Sequence, residues 1–558
     1  MKILVINGSP KGQYSTTLQT VLFIRAHHPE IEFSFIDAGQ KIKALEKDFS
    51  PALDELESAD IFLFSYPVYT FIAPGQLHRF IELMKLSGKS FEGKIATQIT
   101  TSKHFYDITA HRYIEDNCAD MKIDFIDGLS ADMDDLLTDK GQRQALDFFN
   151  MFLWSLQKGY FKAPRICTAP FIPAPLTPLK TAIESSETLQ EKAGSSEENT
   201  CQATTESTHE ETAGTKDYAA QSADKATLQE QPRNEQNTNP QQPLQQPLQQ
   251  PLQQPLQQPP QQPLQQPLQQ PLQQPLQPSQ QPKQPSSTHP KAIIVADYLP
   301  EDKDLIAMID RFRETFPYGC ELINIEDFPF KGGCLSCFNC STSGKCIYSD
   351  RFDDYLRNFI HKHDAIIYAF KIKDHSMGVR FKIYDDRQFC NGHRTVTMGT
   401  PFGYIIDGPY SREENLRTIV EARAQVGGNF LAGVATNESD PAAGIERLAA
   451  TITYAIDHKI TPPQNFLGVG GMKIFRDLIY LMRGMMRADH KFFKSHGQYD
   501  FPQKKFGTSM KMYLVGALMG NRKLKAKMGS KMNDGMIKAY RGVVRRAEAE
   551  VSAQRPEA

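Results

Sequence analysis

The fold class follows from the stretch Lys2-Ile3-Leu4-Val5-Ile6-Asn7-Gly8-Ser9-Pro10, an apolar run that ends in small residues. Its apolar residues do not alternate with polar ones, which is typical of a strand buried on both faces of a parallel sheet. A helix is predicted to start near Ser15, directly after the loop. A strand, loop and helix in this order offer backbone N–H groups, hydroxyls and a helix N-terminus to an anion such as phosphate. An ordinary capped turn is the alternative interpretation.

Strands and helices continue to alternate up to about residue 160. Further strands are predicted at 32–37, 59–64, 94–100 and 122–126, and a closing helix at 142–157. This alternation predicts a doubly wound parallel α/β sheet. Ligands of such sheets bind beyond the carboxyl ends of the strands, at the switch point. Three loops end there, at 9–17, 66–71 and 100–106.

Residues 175–290 have the composition of a linker. A polar segment rich in Glu, Thr and Ser is followed by a Pro-Leu-Gln-Gln repeat, nearly perfect from Pro243 to Gln277. Proline at every fourth position is incompatible with helices and with strand ladders, and one leucine per repeat cannot build a core. We expect a disordered spacer with polyproline II bias, and docking of a proline-binding module is the alternative.

Alternating strands and helices return in residues 291–461, which predicts a second domain of the same α/β class and similar size. The loop after its first strand reads Asp297-Tyr298-Leu299-Pro300-Glu301-Asp302, where the first domain has Gly8-Ser9-Pro10. Three acidic side chains repel a phosphate dianion. We therefore expect the second domain to have lost a phosphate site of its own.

Residues 462–558 are predicted to form a basic helical extension, with 19 Lys and Arg against seven Asp and Glu. A helical cover over the second domain is the ordinary interpretation. Contact with NADPH phosphates, anionic lipid or nucleic acid is the alternative. No aromatic interleaving or readout motif supports nucleic-acid binding, so we expect none.

Four of the nine cysteines lie within 13 residues, at the spacing C-x2-C-x2-C-x5-C. They are Cys334, Cys337, Cys340 and Cys346. Two consecutive x2 gaps let three thiolates converge from one loop, and four thiolates are the number that a [4Fe–4S] cluster requires. A tetrahedral zinc site and a metal-free set of redox thiols remain alternatives. Zinc ribbons usually separate two C-x2-C pairs by a long loop, which favours iron here.

The composition restricts the cellular context. The net charge is −2, and there is no run of 18 apolar residues, so no membrane span is expected. The apolar run at the start of the sequence is too short for a signal sequence, and no small-residue cleavage site follows it. We therefore expect a cytoplasmic location, where clustered cysteines favour metal or redox chemistry over structural disulfides.

Residues 1–160 resemble the NADPH-dependent FMN reductase and flavodoxin-like family. The motifs that carry the resemblance are Gly8-Ser9-Pro10, Ser15-Thr16-Thr17, Ser65-Tyr66-Pro67-Val68-Tyr69 and Pro74-Gly75-Gln76-Leu77. The resemblance implies that the first loop holds the FMN phosphate and that the Pro-Val-Tyr loop packs along the isoalloxazine. The implied phosphate contacts are Ser9, Lys11, Ser15 and Thr16. The implied flavin contacts are Pro67, Val68, Tyr69, Thr70, Thr101 and Ser102.

The cysteine loop, with the Ile347 and Asp350 that follow it, resembles the iron–sulfur flavoproteins of the same broad family. In those proteins one subunit carries both sites, and oligomers bring the cluster of one subunit near the flavin of another. Here the two sites fall on different halves of one chain. We therefore expect an intramolecular pseudo-dimer, with FMN on domain 1–174 and the cluster on domain 291–461, and further homo-oligomers are compatible with it.

The sequence thus predicts a flavin-dependent NAD(P)H oxidoreductase. It would pass electrons from FMN through a [4Fe–4S] cluster to a small-molecule or protein acceptor. The flavin supplies the chemistry, so no catalytic acid or base is named. The alternatives are a flavodoxin-type electron carrier without NAD(P)H activity and a zinc-stabilised interaction protein on the same scaffold.

Overall fold

The computed structural model describes residues 1–104, 106–164, 169–178, 292–461, 463–499, 506–520 and 522–554. The predicted linker lies outside these residues from position 179 onward, as do Cys167 and Cys201. The first domain consists of β1 (Lys2–Asn7), α1 (Thr16–His27), β2 (Glu32–Ile36), α2 (Ala38–Leu45), α3 (Ser50–Ser58), β3 (Ile61–Pro67), α4 (Gly75–Leu86), β4 (Ile95–Ser102), α5 (Asp107–Asp120), β5 (Asp124–Phe125), β6 (Leu129–Asp132) and α6 (Asp139–Lys158).

The second domain repeats this alternation. It consists of β7 (Ala292–Asp297), α7 (Lys303–Thr315), β8 (Cys320–Asn324), α8 (Asn339–Ser343), α9 (Phe352–Asn358), β9 (Ala365–Lys371), α10 (Val379–Arg387), β10 (Pro401–Asp407), α11 (Glu414–Gly427), β11 (Phe430–Thr436) and α12 (Pro441–His458). The C-terminal helices are α13 (Phe466–Leu481), α14 (Arg487–Ser495), α15 (Phe506–Met519) and α16 (Arg522–Gln554).

Both sheets are parallel and share one strand order. The first runs β2-β1-β3-β4-β5, and the second runs β8-β7-β9-β10-β11. This is the 2-1-3-4-5 order of flavodoxin-like doubly wound sheets, whose switch point lies between the first and third strands. The predicted fold class is therefore confirmed for both domains. β1 and β7 are almost completely buried, as their unbroken apolar runs predicted.

The fifth strand of the first domain is divided, unlike the single strand predicted at 122–126. β5 pairs with Ile95 and Ala96 of β4, and β6 pairs further along the same strand. Between them Gly128 lies so close to Gln98 that an added Cβ would come within 2.5 Å of its carbonyl oxygen. The edge strand therefore bends at Gly128 and resumes, which the apolar run ending at Ile126 did not reveal.

The two domains meet through equivalent helices. α4 packs against α10, and α5 packs against α11, so each domain contributes the helix after its third strand and the helix after its fourth. One apolar cluster runs through the contact and includes Phe71 and Leu77 of the first domain with Phe381 and Tyr384 of the second. The contact therefore has the pseudo-two-fold arrangement that a homodimer of such domains would have.

The C-terminal helices divide between the two domains, although the extension was expected to cover the second. α13 packs on α11, and α14 packs on α8 in the cysteine loop. α16 instead packs along α1 of the first domain, where Ile537, Tyr540 and Val544 are buried. In the described parts of the chain, no helix is both long enough and apolar enough to cross a membrane.

Candidate functional site

Three loops of the first domain meet at the switch point between β1 and β3. The Gly8 N–H donates to the Ser65 carbonyl at 2.9 Å, which ties the first loop to the end of β3. The Thr17 hydroxyl lies 2.6 Å from the Thr101 hydroxyl, and the Val68 N–H donates to the Thr101 carbonyl at 3.2 Å. The three loops that the sequence singled out therefore form one concave edge.

The first loop has the features of an anion site. The Ser15 hydroxyl caps α1 by accepting from the Leu18 N–H at 3.4 Å, and the first turn of α1 contains no acidic residue. Ser9 is buried, and its hydroxyl accepts from the Lys11 N–H at 3.3 Å. A helix N-terminus with hydroxyls and no acid attracts a phosphate dianion.

Two contacts of this loop were not among those that the resemblance implied. Thr17, which was not an implied phosphate contact, lies closer to Thr101 than Thr16 does, at 2.6 Å against 3.5 Å. The Lys11 ammonium lies 5.2 Å above the Phe338 ring, in the second domain. Burial lowers the pKa of Lys11, and the thiols of Cys337 and Cys334 oppose that shift. In the structure Lys11 thus connects the phosphate loop with the cysteine loop.

The second loop contains a tight turn with unusual backbone geometry. Tyr69 and Ile72 exchange backbone hydrogen bonds of 2.8 and 3.1 Å, and Thr70 and Phe71 have φ angles of 46° and 72°. These left-handed angles in two residues that are not glycine cost energy, and such turns persist only where surrounding contacts hold them. One such contact, from the Thr109 hydroxyl to the Phe71 carbonyl, lies within the first domain, and the others come from the second domain.

Lys382 and Asp386 of α10 hold the turn from across the domain contact. The Thr70 hydroxyl donates to Asp386 Oδ1 at 2.8 Å, and the Gly75 N–H donates to Asp386 Oδ2 at 2.8 Å. The Lys382 ammonium donates to the Tyr69 carbonyl at 3.1 Å and pairs with Asp386 at 2.5 Å. Both charged side chains are completely buried. Burial raises the pKa of Asp386, and Lys382 opposes that shift.

The cysteine loop and the residues after α10 lie against the first domain. The Gln76 side-chain amide donates to the Cys334 carbonyl at 3.2 Å, and the Tyr69 ring meets the ring of Phe389, which follows α10, edge-on at 6.1 Å. Gln76 Oε1 is buried and has no hydrogen-bond partner among the described residues. Sequence spacing could not place these groups together, because about 260 residues separate Gln76 from Cys334.

The backbone of the cysteine loop turns sharply around its thiols. Ser336 and Phe338 have φ angles of 50° and 58°, and Gly344 has a φ of 81°. The Ser336 N–H lies 3.4 Å from Cys334 Sγ, as a backbone donor to a thiolate would. Burial raises the pKa of Cys334 and brings that of Cys340 to about 11.

Arg387 anchors the loop from α10. Its guanidinium forms two hydrogen bonds of 2.8 Å with Asp350, donates to the Gly332 carbonyl at 3.0 Å and lies 4.0 Å from Cys346 Sγ. It also stacks 4.3 Å from the centre of the Tyr348 ring. No disulfide joins the four loop cysteines, and within the described residues no three His, Cys, Asp or Glu side chains converge as a metal-binding group.

α14 of the C-terminal region covers the loop on its other side. Buried Asp489 accepts from the backbone N–H and ring Nδ1 of His393, at 3.2 and 3.0 Å, and lies 3.4 Å from Arg394. Arg394 donates in turn to the Cys340 carbonyl at 3.4 Å. Asp489 therefore supports the loop through these two residues, a role that no motif in the basic extension indicated.

The corresponding loops of the second domain are filled by charged side chains. Asp297 pairs with Arg380 at 2.5 Å, and Asp302 lies 3.5 Å from Lys371. In place of the Tyr69 turn, residues 373–376 form a turn with the same bridge and two positive φ angles, at Asp374 and His375. The acidic side chains Asp297 and Asp302 thus form ion pairs with Arg380 and Lys371.

Comparison with known proteins bears on the first domain. Residues 1–112 match the sequence model of a family described as NADPH-dependent FMN reductase. No curated protein matches the chain. This family match bears out the predicted resemblance of the first domain and the prediction of an NAD(P)H-dependent FMN oxidoreductase.

Similar solved structures include three flavoenzymes. An apo NADH:FMN oxidoreductase is 20% identical over 28% of this chain and 89% of its own, with a TM-score of 0.24. An FMN-dependent NADH-azoreductase from Bacillus anthracis, in complex with FMN, is 15% identical over 30% and 99%, with a TM-score of 0.24. An NAD(P)H:quinone oxidoreductase from Methanothermobacter marburgensis is 12% identical over 28% and 94%, with a TM-score of 0.23. The resemblance of the second half to iron–sulfur flavoproteins stays a prediction.

Proposed function

We propose that the chain is an NAD(P)H-dependent FMN oxidoreductase whose second domain holds a [4Fe–4S] cluster beside the flavin of the first. One observation carries the proposal. The only C-x2-C-x2-C-x5-C loop in the sequence packs on loops of the other domain that are predicted to bind flavin. Gln76 donates to the Cys334 carbonyl, Lys11 lies above the Phe338 ring, and the Tyr69 hydroxyl lies beside Ser336. A loop with a purely local structural role would not need to lie at the switch point of the neighbouring sheet.

The residues of the first domain fit FMN. Gly12 has a φ of 54°, and a Cβ there would collide with Gln40, so the loop depends on glycine to keep its path. Ser9, Ser15 and Thr16 would hold the phosphate at the N-terminus of α1, where no acid opposes it. Pro67 to Thr70, Thr101 and Ser102 would contact the flavin ring system. Bound FMN would supply hydride acceptance from NAD(P)H and one-electron release.

The side chains of the cysteine loop are of the kind that ligate an iron–sulfur cluster. Cys334, Cys337, Cys340 and Cys346 provide four thiols, and hydrogen-bond donors already lie beside two of the sulfurs. Such donors stabilise thiolates and tune the potential of iron–sulfur sites. A [4Fe–4S] cluster would supply single-electron transfer to an acceptor. Because burial raises the pKa of Cys334 and Cys340, loading would release protons and favour a higher pH.

The chain itself positions both sites. Lys382 and Asp386 fix the turn that presents Tyr69, while Arg387, the residue after Asp386, fixes the cysteine loop. One helix of the second domain therefore sets the distance between the two loops. The packed interface also excludes water from the region between them, because Lys382, Asp386 and Arg387 are buried.

Anaerobic purification of the full chain, with flavin, iron, sulfide and zinc measured in the same sample, tests the proposal. We expect one FMN and four iron atoms per chain. Electron paramagnetic resonance of the dithionite-reduced sample reports the cluster independently of flavin. Rapid mixing with NADPH and with NADH, each monitored by loss of flavin absorbance, then separates an enzyme from a carrier that needs a protein donor.

Two variants separate the sites. Thr16→Trp is expected to lower the flavin content and leave the iron content unchanged, and Cys337→Ser is expected to do the reverse. Cys320→Ser, a change at a free thiol in β8, serves as the matched control and should alter neither. Zinc in place of iron would refute the cluster and leave the flavin site standing. Retention of flavin in Thr16→Trp would refute the assignment of the phosphate loop.

A further inference from the structure

The C-terminal region contains an apolar helix face that no other described residue covers. On α15, Phe506, Met510, Leu514 and Leu518 recur every four residues and are 73%, 49%, 66% and 50% exposed. A four-residue period places side chains along one side of a helix. Large apolar side chains are normally buried in a folded protein. A contiguous exposed group of them therefore marks a binding surface.

The opposite side of α15 fixes the helix to the rest of the protein. Gly484, which follows α13, and Gly516 of α15 approach so closely that a Cβ at either position would collide with backbone of the other segment. The Arg483 guanidinium also donates to the buried Ser509 hydroxyl and lies 5.5 Å from the centre of the Tyr513 ring. The apolar face is therefore held in one orientation and presented outward.

The charge of this region is strongly one-sided. From Phe506 to Asn533 the sequence contains six Lys and Arg and no Asp or Glu, although the whole chain has a net charge of −2. Five of the six lie between Arg522 and Lys531, at the start of the helix that directly follows α15 and contacts it. An exposed apolar face thus adjoins a concentrated positive charge.

We propose that the exposed apolar face of α15, together with the basic residues that follow it in the sequence, binds an anionic phospholipid membrane. Apolar side chains beside clustered Lys and Arg are the combination that places a helix in the plane of a bilayer surface. α15 has 14 residues and would extend about 21 Å, too short to cross the ~30 Å hydrocarbon core but suited to lying flat. The inference is independent of the flavin and cysteine sites.

A second copy of the chain is a less favourable partner for this surface than a membrane. A two-fold contact through this face would place two segments of like charge side by side, and like charges oppose such an interface. An acidic protein would complement the positive charge of this region. Protein interfaces, however, usually also contain hydrogen-bonding groups among their apolar side chains. Between Phe506 and Leu518 the exposed hydrogen-bonding side chains are Thr508, Lys511 and Tyr513, and of these only Lys511 matches an acidic partner.

Vesicle flotation of the full chain tests the proposal. We expect the protein to float with vesicles of phosphatidylglycerol and phosphatidylcholine, to remain at the bottom with pure phosphatidylcholine, and to dissociate at high salt. Leu514→Gln with Leu518→Gln should lower the partition coefficient roughly tenfold or more. Lys523, Lys525 and Lys527 changed together to Gln should lower it by on the order of a hundredfold.

The matched control changes two equally exposed apolar residues elsewhere. Leu86→Gln with Met151→Gln alters side chains that are 70% and 60% exposed on helices of the first domain, and it should leave flotation unchanged. Equal binding to neutral vesicles, or no binding to either, would overturn the proposal. So would a concentration-dependent dimer, seen by light scattering without lipid, that disappears in the Leu514 and Leu518 variant.

Discussion

Two charged side chains of α10 have a function that their spacing in the sequence does not indicate. Lys382 and Asp386 stand four residues apart, a pattern that normally indicates an exposed ion pair on a helix surface. In the structure both are fully buried and hold the Thr70–Phe71 turn of the other domain. The sequence could show that the Tyr69 loop matters, but not that its strained geometry depends on a residue more than 300 positions away.

Changing Asp386 to Asn is expected to destabilise the protein and weaken flavin binding. The variant keeps the shape but removes the nearer of two buried countercharges of Lys382 and leaves only Asp385, at 3.7 Å, so the cost should approach about 3–5 kcal/mol, the value typical of a broken buried ion pair. The free energy of unfolding by urea and the Kd for FMN, from quenching of flavin fluorescence, are the two measurements. Asp310→Asn, in an exposed pair with Arg313, should change stability by less than about 1 kcal/mol. An Asp386 variant indistinguishable from that control would contradict the role assigned here.

At the scale of elements, the first domain was largely predictable because its strands carry continuous apolar runs. β1 lies within the apolar stretch that predicted a buried strand, and the loops after β1, β3 and β4 converge as the parallel topology requires. The divided edge strand was not predictable, because it depends on the contact between Gly128 and Gln98 across the sheet. The cysteine spacing indicated a redox loop, but only packing shows that α4 and α14 enclose it.

The cysteine loop is held by a guanidinium whose planar geometry lysine cannot reproduce. Arg387 makes paired hydrogen bonds to Asp350 and stacks on Tyr348 at the same time. We expect Arg387→Lys to loosen the loop, so that iron is lost faster on exposure to air or to a chelator, while flavin content is unchanged. Arg313→Lys, on the exposed surface of α7, is the control. Equal rates of iron loss in the two variants would argue against an anchoring role.

At the scale of the whole molecule, the domain contact contains a histidine with an altered titration. His375 lies 3.1 Å from Asp120 of the first domain and 3.1 Å from Glu413 of the second. Lys85 completes the cluster through pairs with Asp120 and Asp374. Burial lowers the pKa of His375, but the hydrogen bonds and charges of Asp120 and Glu413 outweigh it and raise the pKa to about 10.

Stability should therefore fall as pH rises through this range. In the unfolded chain a histidine titrates near pH 6.5, so the charged contact contributes fully below that pH and is lost as pH approaches 10. One proton corresponds to at most ~1.4 kcal/mol per pH unit. Thermal unfolding from pH 6 to 10 should show a decline in Tm that His375→Gln removes and that His458→Gln, at an exposed histidine, retains. Parallel curves for the parent and His375→Gln would count against this linkage.

The last helix belongs structurally to the first domain, which no local pattern in the sequence indicated. Tyr540 donates to the Met133 carbonyl at 2.8 Å, and Ile537, Val543 and Val544 are buried beside α1. A chain ending at Gly520 loses these side chains, each of which contributes about 1.5–3 kcal/mol. We expect earlier thermal unfolding and faster proteolysis within the first domain, followed by mass spectrometry. A chain ending at Gln554 is the control, and equal proteolysis of the two truncations would show that α16 is dispensable.

The packing of α16 on α1 also delays folding of the complete first domain during synthesis. About 370 residues separate the end of the described first domain at residue 164 from Ile537. At roughly 5–20 residues per second, the ribosome needs on the order of 20–75 s to translate them. Throughout that interval the apolar residues of α1 that α16 will bury remain exposed. Chains stalled before Ile537 should therefore remain sensitive to protease. The first domain to leave the ribosome is therefore completed only after the codons of α16 have been translated.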